Sequence, residues 1–117
     1  TILILGVSYK PDVKDLQLSP AKIIVNKLNE LGAKIKIYDP YYKTIEVFGI
    51  NVEPNIDDVL SKVDAAIIVT AHKEFQKINL KMFAKMKTPI LIDARGIIDF
   101  TSTNSSGLVF RGLGRIV

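Results

Sequence analysis

Residues that could bind an anion cluster near the start of the chain, after a short apolar run ending at Gly6. Lys10 carries a compact ammonium on a long stem, which suits the oxygens of a diphosphate. Pro11 biases Lys10 away from helical geometry, so the cation leaves the strand in an extended segment. Ser19 and Pro20 are typical of a helix N-cap and first turn, where free amides favour anions. The loop is therefore a candidate anion site, although Ser19 is best explained as a cap alone.

Two further candidates follow later apolar runs. Arg95 stands between Asp93 and Gly96, and a guanidinium at a strand end can hold a diphosphate through paired hydrogen bonds. The alternative is a structural contact between Asp93 and Arg95 that holds the loop. His72, the single histidine, could act as a base or bind phosphate. With no evident nucleophile or acidic partner, a capping or packing role is favoured for it.

The elements that must position these residues alternate between apolar runs and amphipathic stretches. We predict strands before Gly6 and at 34–38, 50–52, 65–70, 90–93 and 108–110, helices at 20–31, 55–63 and 80–86, an irregular or helical crossover at 41–48 and a polar loop at 101–107. This order predicts an α/β, Rossmann-like three-layer sandwich, with a mostly parallel sheet of five to six strands and helices on both faces. If the first strand neighbours 65–70, Lys10, His72 and Arg95 face one crevice at the carboxyl edge.

Composition fits one domain over 1–117, with 48% hydrophobic residues and no cysteine. With no cysteine and one histidine, no metal site is predicted. The net charge of +4 comes from lysines spread along the chain, so we expect no nucleic-acid partner. No apolar run approaches membrane-spanning length, and we expect a soluble, cytoplasmic protein. The chain begins inside a predicted strand, which suggests a piece of something longer.

Asp39 follows the second predicted strand, where a dinucleotide-binding fold carries an acidic residue for the ribose. Gly6 stands alone instead of opening a Gly-x-Gly-x-x-Gly turn, so we expect Asp39 to fix a turn before Pro40. A flavodoxin-like, non-enzymatic signalling or interaction module is an alternative, with Asp39 as phosphoacceptor. A nucleic-acid binder, suggested by the pI of about 9.3, is a third.

Several stretches occur in a characteristic order along nearly the whole chain. They are 6–15 with 19–21, 38–40, 69–72 with Phe75, 93–96 and 110–115. As an ordered set they resemble the carboxy-terminal, UDP-binding domain of the UDP-glucose/GDP-mannose dehydrogenase family. Within that family, Ser-Pro-Ala at 19–21 is more similar to the UDP-N-acetylmannosamine dehydrogenases of polysaccharide biosynthesis.

The resemblance implies an activity and a division of labour. Family members oxidise the C6 hydroxyl of a nucleotide sugar to a carboxylate in two NAD-linked steps. An amino-terminal domain binds NAD, a central helical segment dimerises, and both carry the catalytic groups, so this domain should bind without turnover. By motif position, Tyr9 and Lys10 match the aromatic-lysine pair that contacts the UDP-sugar, and Arg95 matches the arginine that holds the diphosphate. Gln17 stands where the family usually has an arginine facing NAD.

Overall fold

The computed structural model describes residues 1–98 and 108–112. Its strands are β1 (Ile2–Leu5), β2 (Ile35–Tyr38), β3 (Glu46–Val47), β4 (Ile50–Asn51), β5 (Ala65–Ile68), β6 (Ile90–Asp93) and β7 (Val109–Gly112). Its helices are α1 (Pro20–Glu30), α2 (Ile56–Leu60), α3 (Lys73–Gln76) and a 3₁₀ helix at Leu80–Lys85. The loop predicted at 101–107 and the end of the tail at 113–117 lie outside the described residues.

Five strands form one parallel sheet in the order β2-β1-β5-β6-β7. The predicted neighbours β1 and β5 pair in register, with Leu5 opposite Ile68. The chain moves from β1 outward to β2 and then crosses back to β5, so the strand order reverses between β1 and β5. In open α/β sheets such a reversal opens a crevice at the carboxyl ends of the strands. The predicted Rossmann-like class is confirmed.

Both faces of the sheet are covered, because side chains alternate across each strand. On one face, Leu3 and Leu5 of β1 pack with α2, α3 and the 3₁₀ helix, which contribute Val59, Leu60, Phe75 and Phe83. On the other face, Ile4 packs with Ala21 and Val25 of α1. Coverage on both sides explains why β1, β5 and β6 are almost purely apolar.

Helix α1 begins and ends where its sequence predicts. The Ser19 hydroxyl accepts a hydrogen bond from the Ala21 N–H at 3.2 Å, and Pro20 occupies the first turn, where its missing donor costs nothing. Gly32 follows the last turn with φ of +91°, a backbone angle that glycine adopts without steric strain.

Short elements differ from the prediction. Within 41–48 lies β3, which forms an antiparallel hairpin with β4 through Phe48 and Gly49. Helix α2 ends at Leu60 instead of residue 63, the segment after 80 is a 3₁₀ helix, and α3 was not predicted. One-turn helices are too short to show a period and depend on tertiary packing. Among the described residues, every helix falls short of the apolar length needed to cross a bilayer.

Candidate functional site

A buried carboxylate lies at the carboxyl end of β2. Asp39 is 0% exposed, and its Oδ1 accepts a hydrogen bond from the Tyr41 N–H at 2.9 Å, which forms the turn predicted before Pro40. Its Oδ2 lies 2.9 Å from the Val7 backbone nitrogen and 2.9 Å from His72 Nε2. Both oxygens are engaged and shielded from solvent. This argues against Asp39 as the phosphoacceptor of a flavodoxin-like module.

His72 follows β5 and is also fully buried. Its acidic partner is Asp39, 33 positions earlier, which corrects the expectation that it has none. Its Nδ1 accepts a hydrogen bond from the Asp12 N–H at 2.8 Å, so the ring proton must lie on Nε2, which donates to Asp39. The rings of Tyr41 and Phe75 pack against the imidazole at 4.6 and 5.6 Å between centroids. His72 therefore lies beneath the predicted crevice and does not face it.

Asp12 completes this network from the β1 loop. Besides donating to His72, it accepts a hydrogen bond from the Lys73 N–H through Oδ1 at 2.8 Å. Its φ is +62°, in the left-handed region that aspartate tolerates better than most residues. Asp12 lies in the stretch 6–15 that carries the family resemblance, but nothing in that stretch assigns it a role. The one signal is an aspartate directly after proline in a loop, a common turn pair.

The β1 loop leaves the sheet in close contact with the end of β5. Gly6 has φ of +92°, and a Cβ there would lie 2.5 Å from the Thr70 Cβ. The Thr70 hydroxyl donates to the Ser8 carbonyl at 2.9 Å. Beyond this contact the side chains of Tyr9 and Lys10 are exposed, with the Lys10 Nζ 5.9 Å from the Tyr9 ring centroid. An ammonium and a phenol ring thus lie together at the carboxyl end of β1.

Asp93 holds the turn after β6 through backbone groups. Its Oδ1 accepts hydrogen bonds from the N–H groups of Arg95 and Gly96 at 3.0 and 2.8 Å, and its Oδ2 accepts one from Ile98 at 2.8 Å. The Arg95 Nε donates to the Val69 carbonyl at 2.7 Å. The alternative contact between Asp93 and Arg95 therefore exists, but it uses the main chain. It leaves the exposed Arg95 guanidinium at the sheet edge.

The two candidate cations leave the same edge of the sheet. Lys10 follows β1, Arg95 follows β6, and both strands run parallel to β5 between them. Neighbouring strands lie about 4.8 Å apart, so β1 and β6 are roughly 10 Å apart. The bonds of Asp12 to His72 and of Arg95 to Val69 tie both loops to the end of β5.

Two tyrosines beside the network have perturbed ionisation. Burial, together with the hydrogen bond to Glu74 at 3.3 Å, raises the pKa of Tyr41 above its ordinary value. Burial likewise raises the pKa of Tyr42, partly offset by its hydrogen bond with Ser8. Both phenols are neutral at neutral pH, and their hydroxyls bond to Glu74 and Ser8.

A groove of about 450 Å³ opens beside the start of α1. It is lined by Leu16, Gln17, Leu18, Ser19, Lys22 and Ile23. Leu18 and Ile23 are 86% and 74% exposed. Gln17, where the resemblance expects an arginine facing NAD, lies in this groove and brings no charge to it.

The described residues do not fit a dinucleotide or a metal. A dinucleotide fold joins β1 to α1 by a short glycine-rich turn, whereas here a long loop with Gly6 as its only glycine intervenes. Within residues 1–98 and 108–112, no group of three His, Cys, Asp or Glu side chains could hold a metal ion. The carboxyl edge of the sheet carries instead the Lys10 ammonium and the Arg95 guanidinium, two cations that suit an anionic ligand.

Comparison with known proteins agrees with an anionic ligand. Residues 3–100 match the UDP-glucose/GDP-mannose dehydrogenase family, UDP binding domain. UDP-glucose 6-dehydrogenase TuaD of Bacillus subtilis is 31% identical over 120 residues, covering 98% of this chain and 26% of the relative. UDP-N-acetyl-D-mannosamine dehydrogenase of Pyrococcus horikoshii is 32% identical, covering 97% of this chain and 25% of the relative.

Solved structures agree with the fold. The UDP-D-ManNAc dehydrogenase of Pyrococcus horikoshii superposes with a TM-score of 0.82 at 31% identity, over 97% of this chain and 25% of that one. The NDP-N-acetyl-D-galactosaminuronic acid dehydrogenase of Methanosarcina mazei shares the fold, with a TM-score of 0.85 at 21% identity over 98% of this chain and 25% of that one. The chain thus spans about a quarter of the length of these relatives. It belongs to the UDP-glucose/GDP-mannose dehydrogenase family, and residues 3–100 are its UDP binding domain.

Proposed function

We propose that this domain binds the diphosphate of a UDP-sugar between Lys10 and Arg95, with Tyr9 beside the ligand. The observation that carries the proposal is the strand order, which brings the loops after β1 and β6 to one edge on either side of β5. The roughly 10 Å between these strands leaves room for a bridging ligand. The order reversal between β1 and β5 is where such sheets bind ligands.

The chemistry of the two cations suits this ligand. An ammonium acts as a point charge toward phosphate oxygens, and a guanidinium can add paired hydrogen bonds. The Arg95 Nε donates to the Val69 carbonyl at 2.7 Å, and the residue is exposed. Its Nη1 and Nη2 have no hydrogen-bond partner among the described residues, so they are available to a ligand.

We propose further that the domain acts within an NAD-dependent UDP-sugar 6-dehydrogenase, which oxidises a C6 hydroxyl to a carboxylate in the cytoplasm for polysaccharide biosynthesis. Relatives named for UDP-glucose and for UDP-N-acetyl-D-mannosamine match at nearly equal identity, so the proposal names the class and not the sugar. NAD would be bound mainly by an amino-terminal domain, and a central helix would form the dimer. The present domain would bind substrate and supply no catalytic group.

Calorimetric titration of the 117-residue chain with UDP tests the proposed site. Lys10→Ala and Arg95→Ala should each weaken binding by about 1.5–3 kcal/mol, or roughly one to two decades of affinity, because each removes a charge-assisted contact. Lys34→Ala is the matched control, since this exposed lysine precedes β2 at the opposite edge. Unchanged affinity in both test variants, or an equal loss in Lys34→Ala, would exclude the proposed contacts.

A further inference from the structure

His72 is a buried polar side chain that the proposed ligand contacts do not use. It is 0% exposed and lies between the Asp39 carboxylate and the Asp12 backbone. Burying an imidazole is costly unless both ring nitrogens find partners, and here both do. We infer that His72 is a positioning residue that holds Lys10 in place for the diphosphate of a UDP-sugar, an inference that rests on the proposed function.

The hydrogen bonds give His72 one tautomer. Nδ1 faces the Asp12 N–H, which can only donate, so Nδ1 must carry a lone pair. Nε2 then carries the proton and donates to Asp39 Oδ2. In the opposite tautomer, two donors would face each other at Asp12 and two acceptors would face each other at Asp39. The imidazole therefore links Asp39 to the β1 loop, donating to the Asp39 carboxylate and accepting from the Asp12 N–H.

Lys10 lies in a short segment, residues 9–11, that is fixed at both ends. Before it, the Val7 N–H donates to Asp39 Oδ2 and the Ser8 carbonyl accepts from Thr70. After it, Asp12 is joined to His72 and to the Lys73 N–H. Asp39 Oδ2 thus holds one end of the segment directly and the other end through His72.

The bonds at the two ends of residues 9–11 matter because the Lys10 side chain is exposed and is not held by packing. Lys10 is exposed and has a long flexible stem, so its backbone position decides where the ammonium can reach. Without the bond from Asp12 to His72, the restraints left beyond Lys10 would be the bond between Asp12 and Lys73 and the bond from the Tyr9 N–H to the Asp15 carbonyl at 2.7 Å. A less ordered segment must be fixed when the ligand binds, which weakens binding. His72 should therefore affect UDP affinity through the side chains that this segment carries, chiefly the Lys10 ammonium and also the Tyr9 ring.

The tautomer can be read directly because the chain has a single histidine. Nitrogen-15 spectra of the imidazole should show protonated Nε2 and unprotonated Nδ1 in the unmodified chain. A dominant Nδ1-protonated form would overturn the inference, since that form cannot accept from Asp12.

A double-mutant cycle with UDP separates positioning from a general structural role. His72→Gln retains an amide that can donate to Asp39 but removes the acceptor for Asp12, and should raise the Kd for UDP about tenfold. His72→Asn retains an acceptor near the Nδ1 position and should recover part of that loss. In a Lys10→Ala background, His72→Gln should raise the Kd by clearly less than in the unmodified chain, because Tyr9 is then the one proposed ligand contact left in the segment. An equal rise in both backgrounds would overturn the inference.

If the His72 variants do not fold, the tautomer of the unmodified chain still tests the contact of His72 with Asp12, and a surface variant tests whether the far end of residues 9–11 must be held. Asp12→Gly tolerates the positive φ, keeps the N–H that bonds to His72 and removes the acceptor for the Lys73 N–H, so it should weaken UDP binding more when Lys10 is present than in Lys10→Ala. Asp12→Asn retains that acceptor and should bind like the unmodified chain. Failure of the unmodified chain to bind UDP would contradict the proposed function itself. A loss in Asp12→Gly that is independent of Lys10 would contradict only the positioning role.

Discussion

At the residue scale, Gly6 allows the β1 loop to pass the end of β5. Gly6→Ala would place a methyl group against the Thr70 Cβ and impose a positive φ on alanine. Backbone strain and overpacking each cost about 1–3 kcal/mol. We therefore expect a large loss of unfolding free energy, measured by urea denaturation.

Gly32→Ala is the matched control for this substitution. Gly32 has nearly the same φ, +91°, but among the described residues, its two chain neighbours apart, no atom lies within 4 Å of the position of a Cβ. In Gly32→Ala, the loss of unfolding free energy should be only the cost of a positive φ for alanine, about 1–2 kcal/mol. Equal destabilisation by the two variants would contradict the close approach between Gly6 and Thr70.

Single functional residues were predictable where a charged side chain follows an apolar run. Lys10 and Arg95 lie in the loops that follow β1 and β6. Parallel strands deliver such loops to one edge, so the common edge of the two cations could be inferred. The pairing of His72 with Asp39 could not, because 33 positions separate them and only the strand order brings them together. The tautomer of His72 depends further on the backbone of Asp12, which no pattern of residue types reveals.

At the element scale, α1 depends on its cap more than on its propensity. Ser19 satisfies the Ala21 N–H and is nearly buried, so Ser19→Ala should lower the unfolding free energy by about 1 kcal/mol. Thermal or urea unfolding measures this change. Ser61→Ala, which removes only an exposed bond to the Asp58 carbonyl, should cost much less. A loss in Ser61→Ala as large as in Ser19→Ala would contradict the capping role.

Elements with a strong local pattern were predicted, and elements fixed by distant contacts were not. Helix α1 combines a cap, an apolar stripe and a terminal glycine, so its limits were correct to within one residue. Strand β6 was predicted with its observed limits. Helix α3 and strand β3 span too few residues to show a period, and packing against the sheet decides them. Strand β4 lies within the strand predicted at 50–52, but its pairing with β3 was not predicted.

At the scale of the whole molecule, the parallel sheet accounts for the candidate site. Alternating apolar and amphipathic stretches predict this fold class, and right-handed crossovers then bring every strand-to-helix loop to one edge. The actual order β2-β1-β5-β6-β7 adds what the pattern could not give, namely that β5 lies between the two cation-bearing strands. This order places Asp39, His72 and Asp12 together beneath the proposed diphosphate.

Amide spectra recorded during a UDP titration test the central claim most directly. We expect the largest shifts at Tyr9, Lys10 and Arg95, at the carboxyl edge of the sheet, since their side chains are the proposed contacts of the diphosphate. The amides of Lys34, Asp64 and Thr88, which precede β2, β5 and β6 at the amino edge, should stay unchanged. Shifts concentrated at the amino edge, or none at saturating UDP, would contradict the account.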